Sequence, residues 1–418
     1  MNRPLRACII GISGHGENHY QALLQQIDKG EMQIRGATVV NRHETEEQCA
    51  KLESLGAEIF TDYQAMFARL CGKIDFCFIP TGIHLHAPMS IAALRAGAHV
   101  LVEKPLTGAI QDALAMQDGE RETGRQIAVG YNHMYSSSTW QFKEMLRQLL
   151  GRVTLIKSGR LEFRLDNYYS RNGWAGRLKA GDCWVLDSPF NNACAHQLNL
   201  MCFFAGDAPD ESALIESVQA ELYRGNNMIE SADTACLRIV TGNGIKLYFY
   251  TTHCSNRRYN GEFEIHGERG TIAWREGKTF FSAAGKPCEE IPILIGLATT
   301  EEIVEQVKRK IAGQDAFFCD LKMAAAQTIC ANGAHESSLI HPVPKEAIIR
   351  IPQQESVRTE IIGIDDAIQQ AFQEEKLLSE INVPWAKPGK AVSMKEYRCF
   401  SGGAEGNKLN PLHQCAAF

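Results

Sequence analysis

Over the first 130 residues, short and almost wholly apolar runs alternate with stretches whose apolar positions recur every three or four residues. Residues 6–10, 33–40, 58–60, 76–79, 99–102 and 126–129 read as strands, and 18–27, 44–55, 63–70, 88–96 and 110–123 as helices. Strands alternating with helices predict right-handed βαβ units around a parallel sheet. Their uniform apolarity suits strands covered on both faces.

A helix at 139–150 ends this pattern. Residues 153–165, 214–223, 233–241, 245–253, 261–267 and 271–275 then read as longer strands in which apolar and polar positions alternate. Turns such as Thr241-Gly242-Asn243-Gly244 and Gly267-Glu268-Arg269-Gly270 favour antiparallel hairpins. Helical patterns follow at 299–333, broken near Gly313, and at 364–380. The expected fold is α/β: a Rossmann-type doubly wound parallel sheet over residues 1–130, then an α+β domain with a large, mostly antiparallel open sheet over 131–396. Residues 397–418 lack periodicity and are expected to form a loosely ordered tail. With helices on one sheet face, apolar residues on the other would meet water. A homodimer or homotetramer through the C-terminal sheet is therefore expected.

Composition narrows the partners. The 418 residues are 44% hydrophobic and 22% charged, the balance of a soluble globular protein of two or three domains. A formal net charge of −6 argues against nucleic acid. No apolar run is long enough to span a bilayer, and the N-terminal apolar stretch breaks at Ser13 and Gly14, which reads as a first strand rather than a leader. The 14 cysteines are scattered without a C-x-x-C pair, as expected of free thiols in a reducing cytoplasm. No Cys/His spacing suggests a metal.

Gly11-Ile12-Ser13-Gly14-His15-Gly16 lies between the first strand and the first helix. Glycines there allow a tight turn and a close approach to a pyrophosphate, which the helix N-terminus attracts. At the end of the second strand, Asn41 stands where an acidic residue would hold an adenosine ribose, and Arg42 follows. An arginine without the carboxylate favours NADP modestly over NAD.

This turn, the strand ending in Pro80-Thr81-Gly82-Ile83-His84-Leu85-His86, the run Ala96-Gly97-Ala98-His99-Val100-Leu101-Val102-Glu103-Lys104-Pro105, and Gly130-Tyr131-Asn132-His133 together resemble the glucose–fructose oxidoreductase and inositol dehydrogenase family. The resemblance is dense over 7–135 and looser to about residue 280. It implies a two-domain NAD(P)-dependent oxidoreductase of sugars, polyols or sugar acids. It also implies Lys104 at the reacting hydroxyl, Glu103 orienting cofactor or lysine, and cofactor contacts from Pro80, Thr81, His86 and Asn132. His84, His133 and Tyr135 are expected near the nicotinamide side. Some members of this scaffold hydrolyse glycosides with recycled NAD, and a decayed cofactor-binding sensor is a third reading.

The family's Asp-x-Gly-x-His cluster corresponds to Asn192, Cys194 and His196. At i, i+4, Asn192 and His196 are expected on one helix face, with an amide replacing the family's carboxylate. Asp187, the nearest carboxylate, is expected to cap the helix or to accept a substrate hydroxyl. The segment 166–174 holds Asp166, Tyr168, Tyr169, Arg171 and Trp174, groups suited to a polyhydroxylated ligand.

Overall fold

The computed structural model describes residues 3–283 and 285–404. They form two compact units. In the first, strands β1 (Leu5–Ile10), β2 (Met32–Thr38), β3 (Glu58–Phe60), β4 (Phe76–Ile79), β5 (His99–Val102) and β6 (Ile127–Val129) make one parallel sheet in the order β3-β2-β1-β4-β5-β6. Helices α1 (Gly16–Asp28), α2 (Glu46–Ser54), α3 (Tyr63–Leu70), α4 (His86–Arg95) and α5 (Ile110–Thr123) connect the strands. Every residue of β4 and β6 is buried, as their apolarity requires. The strand order reverses between β1 and β4, which opens a crevice at the strands' carboxyl ends.

The first unit does not close at residue 130. It continues to Ser136 and takes back Leu297–Ala324, which the sequence reading assigned to the second domain. Main-chain bonds fix this return: Val129 N–H donates to Cys319 O at 2.9 Å, and Ala298 N–H to Asn132 O at 3.2 Å. The helix Thr300–Ile311 buries Ile303, Val304 and Val307, and its Glu301 pairs with Lys29 at 2.5 Å.

In the second unit, α6 (Ser137–Leu150) leads into β7 (Val153–Phe163), a short helix α7 (Asp166–Tyr169), a small ribbon of β8 (Lys179–Ala180) and β9 (Cys183–Trp184), and α8 (Ala195–Phe204). Strands β10 (Ile215–Arg224), β11 (Thr234–Thr241), β12 (Lys246–Thr252), β13 (Cys254–Gly267), β14 (Gly270–Arg275), β15 (Lys278–Ser282) and β16 (Glu289–Ile291) follow. With β17 (Ile340–Pro342) they form the sheet β16-β15-β14-β13-β7-β12-β11-β10-β17. It is antiparallel except where β7 meets β12 and β10 meets β17.

One face of β7 meets α8, where Glu162 approaches Cys194. The other face is covered by the chain's own C-terminal segment rather than left for a partner. The hairpin β18 (Ile348–Gln353) and β19 (Ser356–Ile361), missed in the sequence, leads to the helix Ile364–Glu374. Ile364, Ile368, Ala371 and Phe372 of that helix pack on Leu155, Leu161, Tyr223, Cys236, Tyr248, Tyr250 and Cys254. Their i, i+4, i+7, i+8 spacing is one helical face. Tyr250 Oη donates to Ala371 O and Lys376 O at 3.0 and 2.9 Å. The apolar surface that motivated a dimer or tetramer is therefore closed in cis over these strands.

The expected loose tail is also corrected where described. Phe400 is buried against Trp184, with rings 5.0 Å apart, and its main chain exchanges two bonds with the Gln111 amide. Residues 405–418 lie outside the described residues. Among the described residues twelve cysteines are free thiols, nine of them buried, whereas Cys399 is disulfide-bonded, which corrects the expectation of free thiols throughout. Among the described residues, no helix is long and apolar enough to cross a membrane.

Phe372→Ala should remove about 3–5 kcal/mol of stability, the range for deleting a buried aromatic ring. Urea unfolding measures the loss, and light scattering should show new concentration-dependent association as the sheet face is uncovered. A loss below about 1 kcal/mol would show that the C-terminal helix is not part of the core.

Candidate functional site

The first unit's site begins at the turn after β1. Gly11 and Gly14 have φ of +88° and +57°, where a side chain is strained. A Cβ on Gly16 would lie 2.8 Å from Gly11 O and 3.4 Å from Pro80 Cγ, so turn, helix start and Pro80 pack without room for one. Ser13 Oγ accepts from Asn41 Nδ2 at 3.1 Å, linking the glycine turn to the end of β2.

The end of β2 carries further charges. Asn41 Nδ2 also donates to Glu44 Oε2 at 2.7 Å, which restores a carboxylate at the place where the sequence reading found none. Arg42 donates to Glu53 Oε1 at 2.7 Å and is already engaged.

Glu103, at the carboxyl end of β5, is a buried carboxylate. Its Oε1 accepts from His19 Nε2 at 2.8 Å and lies 3.2 Å from His15 Nε2. Its Oε2 accepts the Lys104 main-chain N–H at 3.0 Å. Burial alone would raise its pKa, but the bonds and charges of His15 and His19 hold it well below the usual carboxylate range. The same contact raises the pKa of His15. The Lys104–Pro105 peptide is cis.

Thr81 Oγ1, His84 Nδ1 and Asn132 Oδ1 are buried without a hydrogen-bond partner in the protein. Orphaned polar atoms at strand ends beside a glycine cradle fit a dinucleotide, and the residues present suit that group. His86 departs from expectation. Its ring is fully buried, with Nδ1 at 2.9 Å from Pro105 O and Nε2 at 3.1 Å from Thr81 O. It staples two loops together. Tyr135 Oη donates to Val129 O at 3.1 Å and accepts from Cys319 N–H, also a structural role. His133 lies in the turn Asn132–Tyr135.

The second unit gathers a separate set of side chains. Asp187 is buried and caps no helix. Its Oδ1 accepts from Asn192 Nδ2 at 2.7 Å and its Oδ2 from Gly176 N–H at 2.6 Å. Pro189–Asn191 forms a single 3-10 turn capped by Ser188, and α8 begins only at Ala195. Asn192 therefore lies outside the helix, and the expected i, i+4 face shared with His196 does not form. Every residue of α8 except His196 is buried.

The Arg171 guanidinium lies 3.8 Å from the Tyr168 ring centre, 5.3 Å from that of Trp174 and 3.7 Å from Asp187. Asp166, expected to bind substrate, is consumed by Arg350 at 2.5 Å and Asn226 Nδ2 at 2.8 Å. Tyr169 Oη bonds His253 Nδ1 at 3.0 Å.

Glu162, Arg164 and His253 were missed. Charges at 160, 162 and 164, alternating along and just past the end of β7 and so on one face by the period of two, were the available signal. Glu162 lies 2.9 Å from Arg164 and 3.6 Å from His253 Nε2. Burial opposes its ionisation, but His253 and the flanking arginines bring its pKa down to about 2. Glu162, Cys194 and His253 present ligand atoms within 4.8 Å of one another. Arg160 and Arg164 place positive charge on the same carboxylate, and burial pushes the Cys194 thiol up to about 12. The cluster reads as an ion-pair network rather than a cation site.

Comparison with known proteins follows these divisions. An oxidoreductase family with an NAD-binding Rossmann fold matches residues 5–131, and the GFO/IDH/MocA C-terminal domain matches 140–273. A dTDP-3,4-didehydro-2,6-dideoxy-alpha-D-glucose 3-reductase of Streptomyces violaceoruber is 34% identical over 26% of this chain and 31% of its own length. A 1,5-anhydro-D-fructose reductase of Ensifer adhaerens is 26% identical over 49% of this chain and 58% of its own. The chain thus spans about a third to a little over half of those relatives. The WlbA dehydrogenase of Chromobacterium violaceum, solved with NADH and UDP-GlcNAcA, superposes with a TM-score of 0.67 at 20% identity. That match covers 80% of this chain and 94% of that one, a likeness of fold.

Glu162 gives a pH test. Its depressed pKa contributes stability that is complete above its unfolded value near 4.5 and is lost as pH falls towards 2. The full contribution is about 3 kcal/mol at 1.36 kcal/mol per unit. Urea unfolding of Glu162→Gln should therefore show a shallower loss between pH 5 and pH 3 than wild type. Parallel curves would show that the pair does not stabilise the fold.

Proposed function

Because the chain belongs to the GFO/IDH/MocA oxidoreductase family, we propose that it transfers a hydride between a nicotinamide cofactor and a carbinol or carbonyl carbon of a sugar or polyol derivative. The observation that carries this reading is Glu103, which is fixed at the crevice of a Rossmann sheet and holds the Lys104 main chain. The bound cofactor supplies the hydride acceptor or donor. The turn Gly11, Ser13, Gly14 and Gly16 would hold its diphosphate, Asn41 its ribose, and Thr81 and Asn132 would meet it with their unpaired oxygens.

Oxidising an alcohol requires its proton to leave as the hydride does. Lys104 contributes positive charge and a donor to the reacting oxygen, where negative charge develops. His196, the one residue of α8 that is not buried, carries an imidazole able to take up that proton, and it accepts it. Arg171, stacked on the Tyr168 and Trp174 rings, offers guanidinium donors suited to a hydroxylated ligand.

For the cofactor we favour NAD over NADP, against the weak preference read from Arg42. A 2′-phosphate would meet Glu44 and would have to displace Glu53 from Arg42. NADH should bind about tenfold tighter than NADPH, and Glu44→Gln should narrow that ratio. Equal affinities in wild type would remove the NAD preference, and tighter NADPH binding would return it to NADP.

A panel of sugars and polyols followed at 340 nm tests the reaction. Stoichiometric NADH change supports the proposal, whereas aglycone release without it would replace the reading with cofactor-recycling glycoside hydrolysis. Lys104→Met should lower kcat by at least about a hundredfold with NADH binding retained. His196→Ala should flatten the acidic limb of the pH–rate profile. A limb that survives in that variant would assign the titration to another group.

A further inference from the structure

Two histidines, four residues apart at the start of the first helix, share one oxygen of Glu103. His19 is fully buried, and its bond at 2.8 Å is part of the core. His15 differs: its side chain is 62% exposed, yet its Nε2 still lies 3.2 Å from Glu103 Oε1. The two rings are 6.5 Å apart at 61° and approach the carboxylate from different directions. His15 occupies the N-cap of α1 but makes no capping bond with its side chain. It stands within the glycine turn, between Gly14 and Gly16, where a diphosphate would be received.

An imidazole that gives Nε2–H to a carboxylate presents Nδ1 on the opposite side of the ring. Neutral, that nitrogen is an acceptor and has nothing to offer an anion. Protonated, it is a charge-assisted donor beside a helix N-terminus. The surroundings favour the protonated form. Glu103, the strongest influence, raises the His15 pKa through its hydrogen bond and charge, while burial and Lys104 oppose it. Glu17, the carboxylate in the same helical turn, accepts from Gln21 Nε2 at 2.7 Å. Glu103 and Lys104 thus set the charge on this ring, with His19 and Glu17 the other titratable groups in its helical turn.

We propose that His15 is a cofactor-binding residue whose imidazolium bridges Glu103 and the dinucleotide diphosphate, so that protonation of this one side chain governs cofactor affinity. The proposal rests on the dinucleotide reading and adds a pH-dependent contact to it. Glu103 is the base of the bridge: it places the histidine ring and the Lys104 main chain with its two oxygens. Cofactor occupancy and the position of Lys104 thereby share one carboxylate.

NADH fluorescence titrations of the full chain between pH 5.5 and 8.5 test this, with histidine NMR reporting the protonation of His15 directly. Affinity should fall about tenfold as pH rises through the pKa of His15, the scale of one charge-assisted bond. By linkage, that pKa should rise further when NADH binds. His15→Gln should bind about tenfold more weakly at low pH, match wild type at pH 8.5 and show no pH dependence. His15→Lys should keep tight binding across the range, which a purely structural role would not produce. An affinity independent of pH in wild type, or an unchanged slope in His15→Gln, would overturn the proposal while leaving the dinucleotide site intact. Failure of NADH to bind at any pH would overturn both.

Discussion

A carboxylate buried at the end of a strand has to be met by donors or be neutralised, and the first unit is organised around meeting one. Glu103 draws His15 and His19 from the first helix and the N–H of Lys104 from its own strand end. A Cβ on Gly130 would approach Oε1 to 3.3 Å, so the next strand end is also shaped around it. The glycine turn and the lysine lie almost ninety residues apart in the chain, yet each touches the same three-atom group. Removing the charge would leave a buried histidine facing an oxygen that no longer needs it, and the lysine would lose its fixed main chain.

The second unit solves a different problem, that of a wide sheet with two faces. One face carries charges at the end of β7, where Glu162 is held by Arg164 and His253. The other carries a large apolar cluster, and the chain covers it with its own C-terminal hairpin and helix. The same hairpin reaches the candidate substrate segment. Arg350 grips Asp166, and Ser356 Oγ accepts the Asn167 N–H at 3.1 Å. The cover is therefore also a brace for the loop that carries Tyr168, Arg171 and Trp174.

Features written in contiguous residues were legible. The βαβ alternation, the glycine turn and the Glu103-Lys104-Pro105 strand end could be read because each depends on neighbours in the chain. What depended on distant partners was not. Nothing near Glu103 announces that His19 will bond to it, and nothing near residue 300 shows that the chain returns to the first sheet through Cys319. Asn192 and His196 read as one helix because spacing alone ignores Pro189, which starts a 3-10 turn and delays the helix to Ala195. The hairpin 348–361 escaped because Pro352 interrupts the first strand and neither strand shows a clean alternation of buried and exposed positions. Asp166 and His86 suit a ligand by their chemistry, but the first is paired within the protein and the second buried, which spacing alone does not reveal.

The ionisation of Glu103 is the most direct test of this account. Carboxyl carbon NMR of glutamate-labelled protein, with Glu103→Gln identifying the signal, follows it as the pH is lowered. The account predicts that Glu103 remains ionised through the ordinary glutamate range near pH 4.3, titrating only well below it, while His15 stays protonated above the ordinary histidine value near 6.5. A Glu103 that takes up its proton at or above pH 4.3, with an unperturbed His15, would contradict it.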